Sequence, residues 1–223
     1  MQVNLSSIAV LISGSGSNLQ AIIDNVQRCT IKAQICCVIS NNPNAYGLVR
    51  AIQAKIPTHV VDHKGFSTRE EFEKELVNVL MVYNVNFVVL AGFMRVLSHY
   101  FVTKYKDKIL NIHPSLLPKF PGLHTHQRAI DASEKIHGCS VHLVTTELDQ
   151  GSLIMQATVP VKKSDNPDDL AKRVLVKEHL IYPLTIKWLI QNKLSIKEGK
   201  IYLDNKFIDR PIILSPEHEL ELK

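Results

Sequence analysis

Asn111 and His113 stand two residues apart at the end of the apolar run from Lys108 to Ile112, and Pro114 follows at once. In a strand, residues i and i+2 share a face, so the amide and the imidazole are presented together. A residue before proline is pushed to extended geometry, which should hold His113 out at the strand's C-terminal edge, where open α/β sheets bind ligands. The Asn amide donates hydrogen bonds without a change of charge, and a protonated imidazole donates with charge. Side by side they would make an oxyanion clamp, a device suited to acyl transfer. The same residues could equally tie down a loop between Pro114 and Pro118, and on these residues alone both readings stand.

The second chemical feature is a glycine loop. Ile8 to Ile12 is a short apolar run, Ser13-Gly14-Ser15-Gly16-Ser17-Asn18 follows, and Leu19 to Ile23 has helical spacing. Strand, glycine loop and helix in that order bring backbone amides and a helix N-terminus to bear on an anion. It is a poor dinucleotide fingerprint. Leu19 stands where the third glycine would be, no acid follows the second strand, where Ser40, Asn41 and Asn42 are found, and the Lys-Ser/Thr pair of a Walker loop is missing. A single phosphate monoester is favoured over NAD or ATP, the alternative being a turn that binds nothing.

The elements that must carry these residues alternate. After the first strand and helix, Ala33 to Ser40 reads as a strand, Ala45 to Lys55 as a helix and Thr58 to Val61 as a short strand. Ser67 with Glu70 has capping-box spacing, opening a helix to about Tyr83 with Arg69 in its first turn. Phe87 to Ala91 has the unbroken apolar character of a strand covered on both faces. Next, Phe93 to Leu97 could line a flat aromatic pocket, although Met and Leu there also suit ordinary core packing. His137 to Val144 and Leu153 to Val161 read as paired strands around Thr145-Thr146-Glu147-Leu148-Asp149-Gln150-Gly151. Asn166-Pro167-Asp168-Asp169 is a helix start leading towards Gln191, with a bend expected at Pro183. Ile196 to Leu203 reads as a small hairpin and Phe207 to Lys223 as a polar tail. The expected fold is α/β: an open, mostly parallel twisted sheet with helices on both faces and a small C-terminal hairpin.

The segment Asn111-Ile112-His113-Pro114-Ser115-Leu116-Leu117-Pro118 resembles the NIHPSLLP signature of the 10-formyltetrahydrofolate-dependent formyltransferases. AGFMRVLS (Ala91 to Ser98), KFPGLHTH (Lys119 to His126), HGCSVH (His137 to His142) and TELDQG (Thr146 to Gly151) extend the likeness. It runs from about the first strand to the long C-terminal helix and implies a Rossmann-like formyltransferase fold. The implied activity is transfer of a formyl group from 10-formyltetrahydrofolate, as co-substrate, to the glycinamide amine of a phosphoribosyl substrate in purine synthesis. Asn111 and His113 would steady the tetrahedral oxyanion. Asp149 would keep His113 protonated and position a water that relays the amine proton to the leaving folate nitrogen. Gly16, Ser17 and Asn18 would hold the phosphate and Glu178 the ribose hydroxyls. Arg69, Met94, Arg95, Val96 and Leu97, with Asn111, Thr145, Thr146, Glu147, Leu148 and Asp149, would line the folate site. Two positions depart from the family pattern: Ser15 in the glycine loop, and Lys177 before Glu178, where a Gln is expected.

Size and composition set the frame. The chain's 223 residues suit one domain, 1–223, with a phosphate-binding half to about residue 106, a folate and catalytic half from about 107 to 210, and the tail 211–223. Apolar content of 45% with 21% charged is ordinary for a soluble protein, and no apolar run approaches a membrane span. The start, MQVNLSSIAVLISGSGS, lacks a basic region with a cleavage site, so a cytoplasmic protein is expected. The net charge of +5 is dispersed, which argues for anionic small-molecule substrates rather than nucleic acid. Cys29, Cys36, Cys37 and Cys139 have no metal spacing and read as reduced thiols. His124, His126, His137 and His142 come without a metal-protease pattern, so no metal is expected. Family members that act on tRNA, or that hydrolyse formyltetrahydrofolate, would need an added domain. About seven residues before the first strand and a closing hairpin argue for neither. A non-catalytic nucleotide-binding module would not need Asn111, His113 and Asp149 together. Whether the protein is a monomer or a homodimer is left open.

Overall fold

A computed structural model describes residues 5–222. The chain divides into two compact units, Met1–Leu110 and Asn111–Lys223.

The first unit begins with β1 (Ser6–Ile12), whose Ile8 to Ile12 are completely buried, and continues through α1 (Ser17–Gln27), β2 (Ala33–Ser40), α2 (Tyr46–Gln53) and β3 (Thr58–Val60). A 3-10 turn at His63–Gly65 precedes α3 (Arg69–Val82), β4 (Phe87–Leu90) and α4 (His99–Lys104); β5 (Ile109–His113) opens at the end of this unit. β1 pairs in parallel with β2 on one side and β4 on the other, and β2 pairs in parallel with β3. The chain therefore runs outward from β1 to β3 and then reverses to β4, which makes the β1/β4 edge a topological switch point, the place where such sheets bind ligands.

The start of α3 differs from the sequence reading. The capping box is formed by Thr68 and Glu71, not Ser67 and Glu70. Both pairs have the required spacing, and the Glu71 carboxylate serves both, accepting from the Ser67 and Thr68 amides at 3.1 Å each.

The second unit contains α5 (Thr125–Asp131), β6 (Ile136–Leu143), β7 (Leu153–Pro160) and α6 (Pro167–Ile190). β6 and β7 pair, as the sequence predicts, and do so antiparallel, and Asn166 caps α6 by accepting from the Asp169 amide at 2.9 Å. β8 (Leu194–Lys197), β9 (Lys200–Leu203) and β10 (Lys206–Phe207) make a three-stranded antiparallel sheet, one strand larger than the expected hairpin.

The tail is more ordered than its polarity suggests. β11 (Ile212–Ile213) pairs in parallel with β7, and α7 (Pro216–Leu220) follows. Trp188, completely buried on α6, donates to Glu221 at 2.6 Å, Lys193 pairs with Glu221 at 3.0 Å, and Lys177 pairs with Glu219 at 3.0 Å. Residues 211–222 are thus docked on β7 and along the long helix and its C-terminal end, while Lys223, the last of the expected tail, lies outside the described residues.

Eight strands take the order β11-β7-β6-β5-β4-β1-β2-β3, the open and mostly parallel α/β sheet that the alternation predicts. No helix among the described residues is long and apolar enough to cross a membrane.

Candidate active site

In the first unit, the loop between β1 and α1 and the segment after β4 line a cavity of about 200 Å³, walled by Ser13 to Asn18 and by Ala91, Gly92 and Met94. Gly16 is the N-cap of α1 with φ 70. A Cβ there would fall 2.6 Å from the Gly47 Cα, so only glycine satisfies both the left-handed backbone and the close approach of α2. No acidic residue stands in the first turn of α1, so the partial positive charge of its N-terminus is uncompensated. Three polar side chains shape the loop. The Ser13 hydroxyl donates to Asn41 Oδ1 at 2.5 Å and accepts from the Met94 amide at 2.8 Å, and Arg50 Nε donates to the Ser15 carbonyl at 2.9 Å. Neither Asn41 nor Arg50 is singled out by the sequence, because both reach the loop from a later element.

The other residues expected on the folate side of this unit are dispersed. Arg69 lines a separate open groove of about 820 Å³ with Ser98, His99, Tyr100 and Lys104. Met94 belongs to the glycine-loop cavity, Arg95 and Val96 are exposed, and Leu97 is buried. The Arg69 groove therefore gathers none of residues 94–97.

In the second unit, the strand end, the Lys119 to His124 loop and the β6–β7 turn converge on one buried cluster. His113 and Asp149 have side chains only 7% exposed each, and His113 Nδ1 lies 3.5 Å from Asp149 Oδ2. The other ring nitrogen, Nε2, is 2.9 Å from the Phe120 carbonyl. A carbonyl only accepts, so Nε2 carries a hydrogen, and a second hydrogen on Nδ1 makes the contact with the carboxylate favourable. The Gly122 amide donates to Asp149 Oδ2 at 2.8 Å. Both hydrogens of a protonated His113 are therefore directed at protein oxygens, which differs from the free donor expected at the strand edge.

Asn111 has a partner that the sequence did not suggest. Its Nδ2 lies 3.1 Å from His142 Nε2, and His142 Nδ1 donates to the Leu143 carbonyl at 2.7 Å. With Nδ1 protonated, Nε2 is the acceptor, so one amide hydrogen of Asn111 is used and the other remains. Burial, partly opposed by the bond to Leu143 and by Asp149, holds the His142 imidazole below its ordinary range, which keeps it neutral and fit to accept. His142 Nε2 is also 3.6 Å from Asp149 Oδ1. His142 is thus the hinge between the Asn and the Asp. The alternation of HGCSVH, which puts Ser140 and His142 on one face, is the available signal for it.

Local backbone explains the placement. Asp149 has φ 54 in a turn whose Gly151 would drive a Cβ to 1.9 Å from the Leu143 carbonyl oxygen, so this tight return to β7 requires glycine. Phe120, φ 55, is a left-handed aromatic residue preceding a proline, a conformation costing on the order of 1–3 kcal/mol that persists only where surrounding contacts impose it. The buried Ser140 hydroxyl donates to the Ser115 carbonyl at 2.7 Å and accepts from the Leu117 amide at 3.0 Å, and Gln156 Nε2 donates to the Leu117 carbonyl at 2.9 Å. Behind the loop, His137 is hydrogen-bonded to the Pro114 carbonyl and pushed down to about 4, chiefly by burial and then by His126, 3.2 Å away. Thr145, Thr146, Glu147 and Leu148 form the rim of the turn, and Leu148 is half exposed. Glu178 is buried on α6, near enough to Cys139 to help burial raise that thiol. Lys177, beside it, is engaged by Glu219 of α7. Among the described residues no three His, Cys, Asp or Glu side chains are grouped to hold a metal ion.

The formyl transferase family matches residues 6–186, and the chain belongs to that family. It is 50% identical over 200 residues to the phosphoribosylglycinamide formyltransferase of Escherichia coli K12, covering 90% of this chain and 94% of that one. The corresponding protein of Haemophilus influenzae is 46% identical over 206 residues, covering 92% and 97%. Among solved structures, the phosphoribosylglycinamide formyltransferase of Coxiella burnetii in complex with CHES matches with a TM-score of 0.89 and 45% identity, covering 94% of this chain and all of that one.

Proposed function

We propose that this protein transfers the formyl group of 10-formyltetrahydrofolate to the amine of 5-phosphoribosylglycinamide, giving the formylated product and tetrahydrofolate. The observation that carries the reading is the buried His113–Asp149 pair with Asn111 beside it through His142. The names of the relatives support the choice of substrates.

Attack of the amine nitrogen on the formyl carbon pushes the carbonyl electrons onto oxygen. Asn111 is the donor for that oxyanion, through the amide hydrogen not used by His142. A protonated His113, with Nε2 on the Phe120 carbonyl and Nδ1 facing Asp149 at 3.5 Å, contributes its positive charge in a buried setting where charge is weakly screened. A full hydrogen bond from His113 would require Nε2 to leave the Phe120 carbonyl. The amine must then lose a proton and the folate nitrogen gain one before the old C–N bond breaks. Asp149, with Oδ2 tied to Gly122, orients the water that carries this proton.

The phosphate belongs on the amides of Gly16, Ser17 and Asn18, at the N-terminus of α1. Glu178 is assigned to the ribose hydroxyls. Thr145 to Leu148, with Met94 to Leu97, are assigned to the folate. The protein is assigned to the cytoplasm and to small-molecule partners.

A steady-state assay with both substrates, following tetrahydrofolate release, tests the reading. Turnover that depends on phosphoribosylglycinamide supports it. Equal formyl release without that acceptor would instead assign a hydrolase.

A further inference from the structure

His113 and Asp149 are each held by a backbone group of one short segment, the Phe120 carbonyl and the Gly122 amide. That segment has no ladder of its own to fix it. Phe120, Gly122 and His124 are all left-handed, with φ of 55, 75 and 57, so successive carbonyls turn in different directions and regular pairing is impossible. Phe120 directs its carbonyl to His113, whereas the Pro121 and Leu123 carbonyls are directed to a single side chain of α5, Arg128. Arg128 Nη1 donates to the Pro121 carbonyl at 2.6 Å and lies 3.4 Å from that of Leu123, and its guanidinium carbon is 5.4 Å from the centre of the Phe120 ring.

We infer that Arg128 is a positioning residue for the reaction, gripping the Phe120 to Leu123 segment so that one carbonyl stays on His113 Nε2 and one amide stays on Asp149. The inference rests on the roles given above to His113 and Asp149. The chemistry asks for arginine. A planar guanidinium can bond two carbonyls and lie flat on an aromatic face at once, whereas an ammonium is a point charge that does one or the other. Arg128 touches the carbonyls of Pro121 and Leu123 and the ring of Phe120, so the role inferred for it runs through the segment's geometry.

Two readouts on the full-length protein separate this role from general stabilisation. In Arg128→Ala, kcat should fall about tenfold while KM for phosphoribosylglycinamide stays within twofold. The downfield His113 Nε2–H proton resonance, assigned by its absence in His113→Asn, should broaden or vanish. Arg128→Lys should fall between the two in both measurements. An unchanged resonance overturns the inference, whatever happens to kcat, and so does an unchanged kcat with a lost resonance. If Arg128→Ala does not fold, Arg128→Gln and Phe120→Leu, each removing only part of the grip, carry the same test, and a resonance unmoved in both overturns it. The nuclear magnetic resonance arm needs no turnover, so an inactive wild-type protein would refute the proposed function while leaving this contact to be judged by itself.

Discussion

Asp149 Oδ2 lies 3.5 Å from His113 Nδ1 and accepts the Gly122 amide at 2.8 Å, so one oxygen of a nearly inaccessible carboxylate serves the His113 ring and the loop that holds it. Asp149→Asn keeps an acceptor for Gly122 and a residue type that tolerates the left-handed backbone at this position. It removes the charge and turns the other carboxylate oxygen into an N–H donor. Folding should therefore survive, with kcat lower by about two powers of ten, the scale of losing a charge-stabilising or proton-relay group. Near-wild-type turnover in the assay would refute the relay.

Gly16→Ala places a Cβ 2.6 Å from the Gly47 Cα on a backbone with φ 70, and neither atom belongs to a flexible side chain. The loop must deform. The expected outcome is a loss of at least about 1–3 kcal/mol of stability and a KM for the phosphorylated substrate raised tenfold or more. Gly14→Ala, whose Cβ would meet nothing within 4 Å, should leave the melting temperature unchanged. Calorimetry on both variants distinguishes a strained turn from a generally fragile one.

The buried imidazoles give the protein a stability that depends on pH. His137 is held down to about 4 from an ordinary value of 6.5, and His142 and His126 are shifted in the same direction, all chiefly by burial. The unfolded chain takes up protons that the folded one refuses. Stability is therefore complete above about pH 6.5 and falls as pH drops from there towards 4, by on the order of 3 kcal/mol for His137 alone. Asp165 and Glu221, whose carboxyls are held below their ordinary 3.8 and 4.5, begin to lose their contributions only at the acid end of that window and lose most of them beneath it. Urea unfolding between pH 7 and 4 should show the slope, and His137→Gln should flatten it.

Trp188 is completely buried and its indole N–H is satisfied by Glu221 at 2.6 Å. Glu221→Ala leaves that donor unsatisfied and frees Lys193 from its ion pair, an expected cost of about 1–3 kcal/mol. Deleting residues 211–223 should do more, exposing the ring and red-shifting the fluorescence of this single tryptophan. An unshifted spectrum would show that the tail does not cover Trp188 in solution.

What could be read from the sequence was whatever is local. The glycine loop announces itself because its chemistry lies in the backbone of adjacent residues, and Asn111 and His113 because strand periodicity pairs them. His142 and the Phe120 carbonyl could not be read so: His142 meets Asn111 from a strand 31 positions further on, and the Phe120 carbonyl is turned onto His113 by a left-handed backbone that no local pattern announces. The capping box slipped by one residue because Ser67–Glu70 and Thr68–Glu71 satisfy the same spacing, and only the structure decides between them. The tail misled by composition. Glu219 and Glu221 look like solvated acids until Lys177, Lys193 and the indole of Trp188 are seen to face them.

β11 bonds to the edge of β7 at Met155 and Gln156, and the Leu214 amide extends the pairing to the Gln156 carbonyl at 2.9 Å. During synthesis that edge must wait until more than fifty further residues have left the ribosome. For that interval the nascent chain offers bare strand backbone, and an unpaired strand edge is a template for joining a neighbouring chain. This later-made segment is thus also a seal against misassembly between molecules, and chains cut before it should be lost to precipitation more readily than their folding equilibrium alone would dictate.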